Sequence, residues 1–222
     1  MSEKIALVTG ASRGIGKAIA EQLERDGVKL LLPTRKELDL LSNDSIDVYL
    51  ESLRQQIDIL VNNAGINRLG DFNAIKDSDL LDTIQINLVA PVRLTRGVIP
   101  GMIKRKYGRI VNISSIWSLI SRPGRLTYSV SKSGLNAFTR SLAVEVAAYN
   151  ILVNTVAPGY VNTELTRQNN TERELQNIRK MIPILRLAEP EEIACLVAFL
   201  CSEKNAYLTG QCLIIDGGYT CL

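Results

Sequence analysis

The sequence predicts an α/β protein, a doubly wound and mostly parallel sheet in three layers. Three observations carry this reading. Short β-branched apolar runs alternate with longer amphipathic stretches, the pattern of repeated strand–helix–strand units. A glycine cluster, Gly10, Gly14 and Gly16, separates the first apolar run from the first amphipathic stretch. The 222 residues hold no internal repeat, low-complexity tract or linker-like segment, so residues 1–222 read as one domain.

Residues 5–9 (Ile-Ala-Leu-Val-Thr) form the first predicted strand, a buried apolar run ended by the glycines, and residues 14–26 the helix that follows. Residues 28–32 are a second strand. Residues 45–55 repeat apolar positions at helical spacing, and residues 57–62 return to a strand. The long stretch 85–106 reads as one helix, 110–113 as a strand, 128–149 as a helix and 152–156 as a strand. Residues 190–201 open with Pro and two Glu, a helix start, and 213–215 close the sheet.

Composition excludes several function classes. Histidine is absent, which removes histidine triads, histidine bases and histidine–metal sites. The four cysteines, Cys195, Cys201, Cys212 and Cys221, contain no C-x-x-C pair, so no metal site is expected and they read as reduced thiols of a cytoplasmic protein. Glu3 stands where a signal peptide needs positive charge, and no apolar run reaches the ~18–20 residues of a membrane span. A net charge of +3 with 5% aromatic residues offers no nucleic-acid module.

Two constellations carry chemistry. The first is the turn Thr9-Gly10-Ala-Ser12-Arg13-Gly14-Ile15-Gly16 between strand one and its helix. Glycines there let backbone N–H groups approach a pyrophosphate, which a helix N-terminus stabilises. The spacing is G-x-x-x-G-x-G. At the end of strand two, Thr34-Arg35 stands where an acidic residue would bind the ribose of NAD and an arginine accommodates the phosphate of NADP. With Arg13 as a second cation, the pattern favours NADP(H); the bland alternative is two solvated arginines. The second constellation is Tyr128-x-x-x-Lys132, a phenol and an ammonium on one helical face. A nearby cation lowers a phenol pKa, which makes an acid/base group without histidine. Ser114-Ser115, ending the strand at 110–113, adds two hydroxyls at the edge where open α/β sheets bind ligands.

Together these residues resemble the short-chain dehydrogenase/reductase family, of the compact single-domain kind with a Rossmann-like sheet. The resemblance spans nearly the whole chain: Thr9-Gly10-x-x-x-Gly14-x-Gly16, Asn62-Asn63-Ala64-Gly65, Asn87, Ser115, Tyr128-x-x-x-Lys132, Pro158-Gly159-x-Val161-x-Thr163 and Asp216-Gly217-Gly218 occur in order. Residues 63–68 and 104–111 are most similar to β-ketoacyl-carrier-protein reductases. The resemblance implies that Tyr128 donates a proton to a substrate carbonyl, that Lys132 lowers its pKa and holds the nicotinamide ribose, and that Ser115 positions the carbonyl. It implies that Asn87 anchors a water of a proton relay, that Asn63, Ala64 and Gly65 pack on the adenosine side, that Thr163 contacts the nicotinamide carboxamide, and that Pro158, Gly159 and Val161 also bind the cofactor. Only 22 residues separate Arg35 from Asp58. The helix after strand two is therefore read as deleted, with Asp39-Leu40 in the adenine-contacting place.

Residues 83–144 hold ten basic side chains and no acidic one, including Arg122 and Arg125 between Ser115 and Tyr128. Such asymmetry can attract an anionic partner, as can Arg68, although basic residues also simply solvate helix ends. The leading expectation is an NADPH-dependent reductase of a small carbonyl substrate, anionic or carrier-bound, acting as a homotetramer or homodimer. The alternatives are an NADP-dependent sugar or nucleotide-sugar oxidoreductase or epimerase, and a non-catalytic NADP-sensing regulator. Keeping Ser115, Tyr128, Lys132 and Asn87 together argues against the regulator.

Overall fold

A computed structural model describes residues 3–222. Six parallel strands form one sheet in the order β2-β1-β3-β4-β5-β6. They are β1 (Ile5–Val8), β2 (Lys29–Leu31), β3 (Ile59–Asn62), β4 (Gly108–Ile113), β5 (Ile151–Pro158) and β6 (Cys212–Ile215). The helices are α1 (Gly14–Arg25), α2 (Asn43–Ser52), α3 (Asp77–Ile84), α4 (Ala90–Arg105), α5 (Leu126–Val146), α6 (Glu164–Gln168), α7 (Glu172–Met181) and α8 (Pro190–Cys201).

Strand side chains alternate between two apolar layers, which is why the strands read as continuous apolar runs. Ala6, Val8, Ile59, Val61, Val111 and Ile113 face one layer with Ile19 and Leu23 of α1 and Ile193 and Val197 of α8. Leu7, Leu60 and Ile110 face the other, with Ile46 of α2, Leu94 and Met102 of α4 and Val146 of α5. Three layers result, as the sequence predicts.

Chain order reverses between β1 and β3. From β1 the chain moves outward to β2, then crosses back over β1 to continue from β3 through β6. The carboxyl ends of β1 and β3 thus open a crevice at the switch point, the expected ligand position in such sheets. No helix follows β2 directly: residues 32–42 form turns, and α2 alone then leads to β3.

Three expectations need correction. The single helix expected over 85–106 is a longer construction: α3 begins at Asp77, a π-helical turn spans Gln85–Val89, and α4 runs from Ala90. Asp77 and Asp79 in the first turn of α3 were the available signal for its start. Helices α6 and α7 occupy a region with no expected element. The Thr171/Glu174 capping box of α7 was legible as T-x-x-E. Finally, β5 reaches Pro158 instead of 156, because β6 pairs with it through Pro158↔Ile215.

Candidate active site

The turn after β1 is held from the end of β3. Asn63 donates its side-chain amide to the carbonyl oxygens of Thr9 at 2.9 Å and Gly10 at 3.1 Å, and the backbone N–H groups of Asn63 and Ala64 donate to Thr9 Oγ1, each at 3.1 Å. Gly10 sits at φ +66°, and a Cβ on it would lie 2.9 Å from Ala64 Cα. A Cβ on Gly16 would lie 2.2 Å from the Gly10 oxygen. Any larger residue at either position would push the turn off the helix. The residue preceding α1, Arg13, makes no side-chain cap, so the first N–H groups of α1 stay free for an anion.

A cleft of about 660 Å³ runs from this turn to Tyr128. Gly10, Ser12, Arg13, Gly14, Ile15, Gly16, Thr34, Arg35, Asp39, Leu40, Asn63, Ala64, Gly65, Tyr128, Lys132, Pro158, Gly159, Val161 and Thr163 all line it, together with Ser115. Leu32, Leu38, Ile66 and Ile86 also line it and were not anticipated from the sequence. These apolar residues carry no motif. A long cleft with an uncapped helix N-terminus and a glycine cradle at one end fits a dinucleotide.

The cations expected near a phosphate already have carboxylate neighbours. Arg13 Nη1 lies 2.6 Å from Glu164 Oε2 across the cleft mouth, and Arg35 Nε lies 3.8 Å from Asp39 Oδ1. Both pairs are exposed, a setting in which ion pairs contribute only about 0–1 kcal/mol. A phosphate can therefore displace either at small cost. Thr34 donates its N–H and hydroxyl to Glu37 Oε2 at 2.8 and 2.9 Å, which holds the Glu37 carboxyl below its usual range.

At the other end, Ser115 follows β4 and Tyr128 and Lys132 stand one turn apart near the start of α5. A buried chain of hydrogen bonds fixes α5 on the sheet. Asn62 donates to Asn112 at 2.8 Å, Asn112 to Thr139 at 2.8 Å, and Thr155 to Thr139 at 2.7 Å. Lys132 Nζ donates to the Ile113 carbonyl oxygen at 2.7 Å and lies 5.6 Å from the Tyr128 ring centroid. Ser115 Oγ accepts a 3.3 Å contact from Trp117 N and lies within hydrogen-bonding reach of the Tyr128 phenol, whereas Ser114 Oγ donates to the Lys132 carbonyl oxygen. Both serines line the cleft; Ser114 ties α5 to β4, and Ser115 sits beside the Tyr128 phenol.

The expected lowering of the Tyr128 pKa does not hold here. Desolvation raises the phenol above its ordinary value, outweighing Ser115 and Arg125 beside it. Burial also lowers the Lys132 ammonium to about 8, so it remains mostly charged at neutral pH. Asn87 does not line the cleft. It is fully buried in the π-helical turn, accepts from Ile66 N at 2.9 Å, and donates to Ile66 O at 2.9 Å and Ser131 Oγ at 3.1 Å. A Cβ on Gly65 would sit 3.2 Å from Asn87 Oδ1 and 3.5 Å from Lys132 Nζ, so this glycine leaves open the space between the two side chains. Arg68 is committed elsewhere, to Asp79 at 2.8 Å and Asp82 at 3.2 Å.

Comparison with known proteins agrees with this geometry. Residues 36–220 match the family described as enoyl-(acyl carrier protein) reductase, and residues 4–45 match the short chain dehydrogenase family. The chain is 39% identical to the 3-oxoacyl-(acyl-carrier-protein) reductase FabG of Vibrio cholerae and 40% identical to that of Escherichia coli, over 97% of this chain and 96% of each relative. Both alignments extend over 236 residues, so the relatives hold residues this chain lacks. A putative NAD(P)-dependent gluconate 5-dehydrogenase from Beutenbergia cavernae, solved with bound NADP, superposes with a TM-score of 0.95 at 31% identity, covering 100% of this chain and 98% of the other. A putative gluconate dehydrogenase from Agrobacterium tumefaciens superposes at 0.93 with 30% identity, covering 99% and 96%. With catalytic-type side chains at one end of a dinucleotide-sized cleft and relatives matched along nearly the whole chain, this protein belongs to the short-chain dehydrogenase/reductase family and is a nicotinamide-dependent oxidoreductase.

Proposed function

We propose that the chain is an NADPH-dependent reductase that converts a small carbonyl substrate to a secondary alcohol. The observation that carries this is the convergence of Ser115, Tyr128 and Lys132 at the far end of the cleft from the glycine turn. When bound, the nicotinamide cofactor supplies the hydride. In this reading Tyr128 gives its phenolic proton to the substrate oxygen as negative charge develops there. A phenol kept neutral by burial is the protonated form that this step needs. Ser115 donates to the same oxygen, and the Lys132 charge stabilises the tyrosinate left behind. Asn87 acts as a positioning residue, joining the loop after β3 to α5 through Ile66 and Ser131.

The FabG relatives support a 3-oxoacyl substrate. The gluconate dehydrogenase neighbours favour a second reading, a polyol or sugar-acid oxidoreductase. A cytoplasmic location belongs to the same proposal, and the four unpaired thiols suit it. Among the described residues no helix is long and apolar enough to cross a membrane.

Oxidation of NADPH against acetoacetyl thioesters, oxo-sugar acids and simple ketones tests the reading. Tyr128→Phe should lower kcat by about 10²–10⁴-fold with cofactor affinity little changed; near-full activity would refute the proton donor. Cofactor choice is measured separately. NADPH should bind about ten- to hundred-fold more tightly than NADH, and Arg13→Ala with Arg35→Ala should erase the difference. Equal affinities in the unaltered protein would refute the arginine argument.

A further inference from the structure

Arg109 and Arg125 are both only 3% exposed and neither forms a salt bridge among the described residues, though the Glu203 carboxylate acts on Arg109 and no carboxylate acts on Arg125. They differ in what satisfies them. Arg109 donates to the carbonyl oxygens of Gly108 at 2.9 Å, Asn150 at 3.0 Å and Asn205 at 3.2 Å, a structural arginine tying β4 to its surroundings. The Arg125 guanidinium has no hydrogen-bond acceptor among the described residues. Its Nε, like that of Arg109, is a buried donor without a partner, but its terminal nitrogens also meet no acceptor; its neighbours are Arg122 and the phenols of Tyr128, Tyr160 and Tyr219. Its one evident compensation is the face of Trp117, 5.2 Å from the guanidinium carbon. The buried hydroxyl of Tyr160 has the Tyr219 phenol beside it and no well-formed hydrogen bond.

Such a group is costly to keep, because a desolvated charge needs an opposite charge or acceptors to offset the lost water. Its location gives this unpaired charge meaning. Arg125 precedes Tyr128 by three residues at the start of α5, so it lies one turn from the phenol, on the side away from Lys132. Trp117 is two residues after Ser115. Arg122 differs: it is exposed, its guanidinium carbon 5.5 Å from the Trp117 ring centroid, and near the Glu174 carboxylate.

We propose that Arg125, with the Tyr160 hydroxyl beside it, anchors a negatively charged group of the substrate, a carboxylate or phosphate, and so selects acidic oxo compounds over neutral ones of the same shape. This rests on the reductase reading and narrows it. A guanidinium fork matches either oxyanion in a bidentate contact and orients the carbonyl one helical turn away. The apolar chain of an acyl thioester would instead place methylenes against an unpaired charge.

Trp117 is the single tryptophan of the chain, so its emission reports occupancy of this site independently of turnover. The protein with NADP⁺ would be titrated with 5-oxogluconate and D-fructose 6-phosphate, and with neutral L-sorbose and D-fructose. The anions should change the emission at concentrations at least about tenfold lower than the neutral sugars. Arg125→Met should erase that preference, Arg125→Lys should retain part of it, and Arg122→Met should keep it. In turnover, kcat/KM of Arg125→Met should fall about ten- to hundred-fold for the anions and far less for the neutral sugars. A tighter response to 5-oxogluconate assigns the carboxylate, and a tighter response to fructose 6-phosphate the phosphate. No response to either anion, or equal response to charged and neutral sugars, overturns the proposal even if Arg125→Met misfolds. Turnover without charge selectivity sinks the anion site and leaves the reductase standing. Charge-selective binding without any carbonyl reduction does the reverse.

Discussion

Lys132 holds its charge at 3% exposure with a single acceptor, the Ile113 carbonyl oxygen. Its pKa falls from 10.5 to about 8, so between these values the unfolded chain binds more protons than the folded one. Stability from this group therefore rises with pH across that window, and the full penalty is present below pH 8. A lowering from 10.5 to about 8 corresponds to roughly 3 kcal/mol of destabilisation at neutral pH. Lys132→Met should abolish turnover and yet raise Tm at pH 7 by several degrees, with the gain shrinking from pH 8 toward 10.5. Thermal melts across pH check this; a lowered Tm, or a gain independent of pH, would contradict it. The same residue thus trades stability for chemistry, since the burial that weakens the fold also keeps the charge unscreened beside Tyr128.

At the level of elements, the junction of β1, its turn and α1 sets the cofactor end of the site. Gly16 is the tightest point: its missing Cβ would meet the Gly10 oxygen at 2.2 Å and Asn63 Nδ2 at 2.3 Å. Gly16→Ala should force the turn away from α1, cost about 1–3 kcal/mol of stability and weaken NADPH binding by more than tenfold. Gly27 is a matched control. It has φ +78° with nothing within 4 Å, so Gly27→Ala strains the backbone by about 1 kcal/mol without touching the cleft. Calorimetry and cofactor titration on both variants separate the effects; equal loss of binding would show that the turn senses stability alone. The opposite end depends on α5, whose register is fixed by the Asn62–Asn112–Thr139–Thr155 network. An isosteric apolar change inside it would leave buried amides unpaired.

Over the whole molecule, an α5 face and the β6 edge present apolar side chains to solvent. Leu126, Val130 and Val144 of α5 are 41%, 52% and 85% exposed and fall on one face at 100° per residue. Strand β6 ends the sheet with Ile214 46% exposed, and Leu222 beyond it is 89% exposed. Apolar helix faces and bare sheet edges of this kind invite pairing. We propose that they are the two contacts of a homotetramer, with the α5 face as the larger. Light scattering at micromolar concentration should give four chains, and Val144→Glu with Val130→Glu should give smaller species. A stable monomer in the unaltered protein would overturn this.

Alternating strand and helix patterns sufficed for the α/β class, because sheets covered on both faces draw mostly apolar residues on both sides of each strand. The glycine turn, Ser115 and the Tyr128–Lys132 pair were legible because each is local: a phosphate needs glycines at a helix start, and a shared helical face needs only a four-residue spacing. What lay beyond the sequence is set by groups distant along the chain. The π-helical turn holds Asn87, whose side chain bonds Ile66 and Ser131, 21 and 44 residues away. Arg13 meets Glu164 across 151 residues, a pairing no motif encodes. The Tyr128 pKa was read from its nearest cation and comes out on the other side, because desolvation is a property of everything packed around the phenol. Arg122 and Arg125 are equivalent as sequence. Only the fold exposes one beside Glu174 and buries the other against Trp117 without a partner. Spacing along a chain fixes which groups share an element; packing between elements decides which are stripped of water, and stripped charges are where binding and chemistry concentrate.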